Sequence, residues 1–358
     1  MPAPRKIAVL LDHVSLRSPG QQLLDRFLIG YPRDGEFRRP ATNAVVLHVA
    51  SGGERELVEA RQRDFGLQVA ATAEAAASRA DAVIVASGSP SAPAPAALMK
   101  AALDHAAPRA AMFVYGSLAQ ETPQPWRWHE AAARRAVWLR AGTAMSTTWR
   151  LPETEVPAGI ILREALIVAQ GPMPLAELEA LDGLQPLLER RRRGESGVRR
   201  LRFLAGKELW RAGEAGDWSW DLLAAALSRS HTPQGDPVVD GRTQDLAGLG
   251  LVPLLAREPR GWLLQHRDGL RTTVLVLDGV VKDFNFALRP TRGPVISAQL
   301  FRAPLHAEQH FSRLAAALDH WFQTGQAPWS LERNLLTARL LEHMSRPETR
   351  EGGWVAAS

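Results

Sequence analysis

Cysteine is absent from the 358 residues. That excludes disulfides, thiolate nucleophiles, iron–sulfur clusters and cysteine-based zinc sites. Lysine is almost absent: among 43 basic residues only Lys6, Lys100, Lys207 and Lys282 are lysines, and all the others are arginine. A mechanism that needs an ammonium group therefore has four candidates. Tyrosine is limited to Tyr31 and Tyr115, so counting nearly decides which phenol could carry a proton. No apolar run approaches the ~20 residues that span a bilayer. The run Ile7 to Leu11 stops at Asp12, too short for a signal-peptide core, so a cytoplasmic protein with no membrane partner is expected.

Charge of one sign is also scarce. The 43 basic residues face 38 acidic ones, a net of +5, and the basic isoelectric point follows from arginine standing in for lysine. Nucleic acid is not an expected partner. The one basic cluster, Arg190 to Arg193 with Arg199, Arg200 and Arg202, has no interleaved aromatics and has Glu189 and Glu195 beside and within it. It reads as a solvated helix end, with an anion-binding patch as the alternative. What remains is 46% hydrophobic and 23% charged, the composition of an ordinary globular protein. At about 150 residues per domain, the length predicts two domains.

Residues 6 to 120 alternate short β-rich runs with helical patterns. Strands are expected at 6–12, 44–50, 68–70, 82–86 and 110–115, and helices at 19–30, 54–65, 72–80 and 94–106. Repeated βα units predict a doubly wound parallel sheet of nucleotide-binding type, with ligands outside the carboxyl ends of its strands. The positions to inspect there are Asp12 to Ser15, Ser51 to Glu54, Ser87 to Pro90 and Tyr115 to Ser117. A second regime begins near residue 150. A strand at 160–169 precedes a helical stretch at 175–192, which Gly183 and Pro186 threaten to break. Strand-like runs follow at 262–266, 271–277 and 280–287, the last two joined by Asp278-Gly279, a two-residue hairpin signal. Thr232 to Thr243 reads as a surface excursion, residues 307–322 as a helix closed by Gly325, and 331–344 as a last helix before a polar tail. The fold class is α/β: a Rossmann-like domain over 1–150 and an α+β domain over 151–358 with a mainly antiparallel open sheet.

Several segments carry a resemblance. They are Asp64-Phe65-Gly66 followed by Ala71-Thr72-Ala73-Glu74-Ala75 and Ala80-Asp81-Ala82-Val83-Ile84-Val85; Asp25 to Pro32; Ala141-Gly142-Thr143 with Arg150-Leu151-Pro152; Glu189-Arg190-Arg191 with Gly194 to Val198; Asp268-Gly269-Leu270-Arg271; and Leu331 to Leu336. In this order they cover most of the chain, which resembles the family of glucose-fructose oxidoreductase and inositol dehydrogenase, the Gfo/Idh/MocA group, in a divergent bacterial branch. The resemblance implies an NAD(P)-dependent oxidoreductase acting on a sugar, polyol or related small molecule. It also implies a homo- or hetero-oligomer formed through the C-terminal sheet.

Residue by residue, the chain departs from that pattern. A dinucleotide fingerprint needs glycines after the first strand so that the backbone can approach the pyrophosphate at a helix N-terminus. Here the turn runs Leu11-Asp12-His13-Val14-Ser15-Leu16-Arg17-Ser18-Pro19-Gly20, with one late glycine. The second strand ends Ala50-Ser51-Gly52-Gly53 with no ribose-binding acid, Glu54 reading as the start of the next helix. The family's lysine after the fifth strand has no counterpart in Tyr115-Gly116-Ser117, and Glu179 stands where its catalytic histidine is expected.

Candidate catalytic groups are then Tyr115, a proton donor if a cation such as Arg150 lies near, and Glu179, a general acid or base if buried. Arg150 is the candidate substrate-binding residue, and Asp12, His13, Ser15, Ser51, Ser87 and Ser89 are the candidate cofactor-binding positions. His306 and His310 flank Glu308 in an order unlike His-Glu-x-x-His, so no metal is expected. Ser87-Gly88-Ser89-Pro90-Ser91 lacks the setting of a hydrolase elbow. Trp126, Trp128 and Trp138, after the domain's last expected strand, read as packing or as a cleft wall. Two readings stay open: a rearranged NAD(P) enzyme, or a non-catalytic binding subunit without cofactor that pairs with an active partner.

Overall fold

The computed structural model describes residues 5–42, 44–89, 94–119, 125–232, 245–303 and 308–357. The chain divides into two compact units, Met1–Thr147 with Ala303–Arg339, and Thr148–Arg302 with Leu340–Ser358. Among the described residues no helix is long and apolar enough to cross a membrane.

The first unit runs β1 (Lys6–Leu11), α1 (Pro19–Leu28), a small hairpin of β2 (Tyr31–Arg33) and β3 (Glu36–Arg38), β4 (Ala44–Val49), α2 (Arg55–Phe65), β5 (Gln68–Val69), α3 (Ala73–Ala77), β6 (Ala82–Ala86), α4 (Ala96–His105), β7 (Ala111–Tyr115), α5 (Trp126–Arg134) and β8 (Trp138–Gly142). Its sheet is ordered β5-β4-β1-β6-β7-β8, and every neighbouring pair is parallel. This is the doubly wound order, with its reversal beside β1. The strands β1 and β6 read as continuous apolar runs because both of their faces are buried. α1 starts where it does because Ser18 Oγ accepts the Gln21 N–H at 3.2 Å and Pro19 opens the first turn.

Two expectations need correction here. The strand ending at Tyr115 is not the last, since Trp138 begins a sixth one, β8. The boundary at 150 also does not carry residues 303–339 with the second unit. Helix α10 (His310–Thr324) places Phe311, Leu314, Leu318, Trp321 and Phe322 in one core with Val9, Leu11, Leu24 and Phe27 of β1 and α1. Gly325 ends it in the left-handed region at φ 77°, as its position predicts.

The second unit holds β9 (Arg150–Leu151), β10 (Leu162–Ala169), α6 (Leu175–Leu188), β11 (Val198–Ala205), α7 (Lys207–Glu214), α8 (Trp220–Leu227), α9 (Val252–Leu255), β12 (Arg257–His266), β13 (Arg271–Asp278), β14 (Phe284–Pro290) and β15 (Ile296–Leu300). Helix α11 (Leu331–Ser345) is divided between the units, and β16 (Trp354–Ala356) adds the last strand. The eight-stranded order is β16-β11-β12-β13-β10-β14-β15-β9, antiparallel except for β10 with β13. One face buries Leu166, Val168, Leu275 and Ala287 against Leu209, Trp218, Leu222 and Leu223 of the α7–α8 region. The alternating residues Ala165, Ile167 and Ala169 are equally buried, and α6 packs on β10 and β13. The sheet therefore has helices on both faces, and a partner approaching the α7–α8 side meets a helical layer.

Three further readings change. Asp278-Gly279 is a turn, but β13 and β14 do not form a hairpin, because β10 lies between them. Arg199, Arg200 and Arg202 stand on β11 rather than on a helix end, and the tail after α11 returns as β16 against β11. Gly183 and Pro186 do not break α6, a helix buried on nearly every side. The excursion at 232–243 lies, after Thr232, outside the described residues.

Candidate functional site

In a sheet of this order a ligand would sit outside the carboxyl ends of β1, β4 and β6. The structure brings the predicted crevice residues together there. Asp12 follows β1, and its carboxylate accepts the Gly88 N–H at 2.6 Å, its own neighbour's N–H at His13 at 2.7 Å, and the Ser87 hydroxyl at 3.1 Å. Its carbonyl accepts from the Ser51 N–H at 2.7 Å and the Ser51 hydroxyl at 2.9 Å. Ser15 Oγ donates to the Gly88 carbonyl, the Ser87 hydroxyl accepts the Ser89 N–H at 3.0 Å, and the His13 ring lies 3.2 Å from the Asp12 carboxylate. Glu54 precedes α2, as expected, but its carboxylate accepts the Leu16 N–H at 2.8 Å instead of capping the helix.

Glycine works in this corner in an unexpected way. In a dinucleotide fingerprint it lets the backbone approach a pyrophosphate. Here Gly53, at φ 115°, lies against the Val14 backbone, and a Cβ added to it would collide with Val14 O and N. A Cβ on Gly88 would run into the His13 carbonyl. Both glycines bring neighbouring loops onto the β1–α1 turn, so the close approach is protein to protein.

Tyr115 ends β7, half buried, with its ring stacked on Phe311 at 5.6 Å between centroids. The Arg26 guanidinium lies 5.7 Å over Phe311 and donates to the Glu308 carbonyl at 2.7 Å and to Ser312 Oγ at 3.2 Å. Burial lowers Arg26 to about 10, against the pull of Asp25 and Glu308. The sequence reading missed Arg26. Arg150 lies in the second unit on β9, where its Nε donates to the Thr154 carbonyl at 2.7 Å. His310 pairs with Glu308 at 3.5 Å, while His306, Pro90 and Ser91 lie outside the described residues.

Glu179 is 7% exposed on α6 and pairs with Arg302 at 3.3 Å. The same helix buries Glu177, fully enclosed and bound to Arg260 at 2.7 Å, and Asp182. Neither acid was singled out beforehand. A spacing signal was present, since charged residues interrupt an otherwise apolar helix, and buried carboxylates are costly unless paired. Three members of the basic cluster, Arg190, Arg191 and Arg202, form ion pairs. Arg191 is buried between Glu195 at 2.9 Å and Asp268 at 2.7 Å, and His266 bridges Glu195 at 3.1 Å and Thr272 at 3.0 Å. Burial would raise the Glu195 carboxyl, but hydrogen bonds and charge from His266 and Arg191 override it and hold the group well below the ordinary carboxylate range.

No family model matches the chain, and no curated protein matches it. Solved structures do match over its whole length. Apo scyllo-inositol dehydrogenase from Lactobacillus casei is 10% identical with a TM-score of 0.58, covering 99% of this chain and 98% of that one. Myo-inositol 2-dehydrogenase from Lactobacillus plantarum is 9% identical, TM-score 0.58, with 99% of each chain covered. Myo-inositol dehydrogenase from Lactobacillus casei, solved with NAD(H) and myo-inositol, is 12% identical, TM-score 0.57, covering 98% and 96%. The fold is thus that of the inositol dehydrogenases and of Gfo/Idh/MocA-type oxidoreductases, as the sequence pattern implied.

Proposed function

We propose that this chain is a dehydrogenase-fold protein whose dinucleotide corner is closed by its own side chain, and that it serves as a non-catalytic binding subunit. One observation carries the reading: Asp12 places a carboxylate on the backbone and hydroxyl donors of His13, Gly88 and Ser87. Those are the kinds of donor a phosphate uses at the head of a parallel strand. A pyrophosphate brought to the same place would have to displace this anion or sit beside it against its charge. The residues present therefore do not fit the NAD(P) that accompanies this fold in a neighbour such as the NAD(H)-bound myo-inositol dehydrogenase. No reaction step through a nicotinamide follows for this chain. Two further departures support the reading: Tyr115 stands where a lysine is expected and is packed on Phe311, and Glu179 stands where a histidine is expected and is paired with Arg302.

The subunit role includes pairing with a second chain, a copy of itself or an active relative. On this reading the second chain pairs through the C-terminal sheet, one face of which is covered by the α7–α8 region. A turnover assay tests the loss of activity: the purified protein with NAD+ or NADP+ and a panel of sugars and polyols should produce no reduced nicotinamide. Sustained reduction, abolished by Glu179→Gln, would replace this reading with a rearranged enzyme. That second reading rests on the buried acids of α6, because a helix serving only as packing has little reason to hold Glu177, Glu179 and Asp182 away from solvent.

A further inference from the structure

Within the second unit, the start of β10 opens onto a cavity of about 670 Å3. It lies at the opposite end of β10 from the strand end that leads into α6. Its wall carries three arginines. Arg163 on β10, Arg271 at the start of β13 and Arg289 near the end of β14 all line it, with Trp218 and Ser219 completing one side. Glu164 bridges two of these arginines, pairing with Arg271 and, at 3.3 Å, with Arg289. Asp268 on the rim is held from behind by Arg191 at 2.7 Å, and Asp221 reaches Arg289 at 3.5 Å. Three guanidinium groups, those of Arg163, Arg271 and Arg289, thus line the cavity beside two carboxylates, Glu164 and Asp268. Of the three, Arg163 is exposed and has no ion pair or hydrogen bond among the described residues.

Two features make this more than a charged surface. Ser219 caps α8, whose N-terminal end therefore borders the cavity, and its hydroxyl also accepts from Arg289 at 3.0 Å. The partial positive charge of that helix end adds to the arginines. Gly216 and Gly269, at φ 79° and 90°, line the cavity with no described atom within 4 Å of where a side chain would begin, which leaves the space beside them open. The volume is that of a metabolite site. We propose that this cavity binds a small molecule through an oxyanion, a phosphate or carboxylate group, held between Arg163 and Arg271, with Glu164 as the resident anion that holds the arginines in place until it arrives. Arginine's planar fork suits either oxyanion. The inference does not depend on the closed dinucleotide corner.

Calorimetric titration of the full chain with inorganic phosphate and, separately, with succinate tests it. Saturable binding of one or both is expected, and which one binds identifies the group recognised. Arg163→Ala should weaken that binding at least about tenfold, the loss expected for one charge-assisted contact. Glu164→Gln removes the resident anion and should tighten it. Arg39→Ala, an exposed arginine of the other unit, should leave affinity unchanged. Absence of binding by both the wild type and Glu164→Gln would overturn the proposal, and so would an affinity indifferent to Arg163→Ala. Thermal melts of each variant separate lost binding from lost folding.

Discussion

The Asp12 carboxylate accepts the Gly88 backbone N–H at 2.6 Å, tying the end of β1 to the loop after β6. Around this bond the turn between β1 and α1 is fastened on two sides. Ser51 donates to the Asp12 carbonyl from the β4 side, and Ser87 donates to its carboxylate from the β6 side. The crevice residues anticipated as ligand contacts are satisfying one another.

Removing the carboxylate should therefore destabilise the first unit. Asp12→Ala leaves the N–H groups of His13 and Gly88 without their acceptor, at a cost of about 1–3 kcal/mol. Chemical denaturation reads it as a lower midpoint with an unchanged slope. A variant as stable as the wild type would mean that water replaces the carboxylate at no cost.

Gly88→Ala should cost more than Asp12→Ala. Its Cβ would meet the His13 carbonyl, a backbone atom that cannot swing aside, so the loop after β6 must move off the turn. A loss of about 2–4 kcal/mol is expected, in the range of overpacked or strained positions. Denaturation of the two single variants and the double variant also measures coupling. The Asp12 contact should be worth little once Gly88→Ala has displaced its partner.

On α6 the fully enclosed Glu177 is neutralised by Arg260. Arg260→Met should destabilise by about 3–5 kcal/mol because it strands a buried carboxylate. Adding Glu177→Gln should recover much of that loss. A double variant no better than Arg260→Met alone would show that the arginine acts through its stem and its bond to the Gly171 carbonyl.

Acidification should weaken the first unit before the carboxylates titrate. Burial, aided by the Arg140 charge, lowers His129 to about 4, and its Nε2 has no hydrogen-bond partner among the described residues. The unfolded chain then binds a proton near pH 6.5 that the folded chain refuses until about 4, so stability falls as pH drops through that interval. The full effect is up to about 3 kcal/mol. Melting temperatures from pH 7 to 5 should decline less steeply in His129→Gln; equal slopes would assign the decline to other groups.

The order of the first sheet was legible because strands buried on both faces leave unbroken apolar runs, as in β1 and β6. β8 was not, because Arg140 interrupts it and is answered by the distant Trp329 carbonyl at 2.9 Å. β11 was hidden by Arg199, Arg200 and Arg202. The structure accommodates the last two by placing Arg200 over the Trp354 ring and pairing Arg202 with Asp217. Asp278-Gly279 did mark a turn, but turn chemistry does not say which strands pair, and β10 inserts beside β13 from far upstream. In the site, the sequence located Asp12, Ser51 and Ser87 by their places after strands. It could not show that they bond to each other, nor that Glu177 finds Arg260, because those partners are distant in the chain.

The central claim is that Asp12 closes the dinucleotide corner, and binding tests it most directly. The wild type and Asp12→Gly are titrated in parallel with NAD+, NADH, NADP+ and NADPH by calorimetry. No heat of binding is expected from the wild type with any of the four at millimolar concentration, and any binding that appears should appear only in Asp12→Gly. Saturable micromolar binding of a nicotinamide dinucleotide by the wild type would contradict the account.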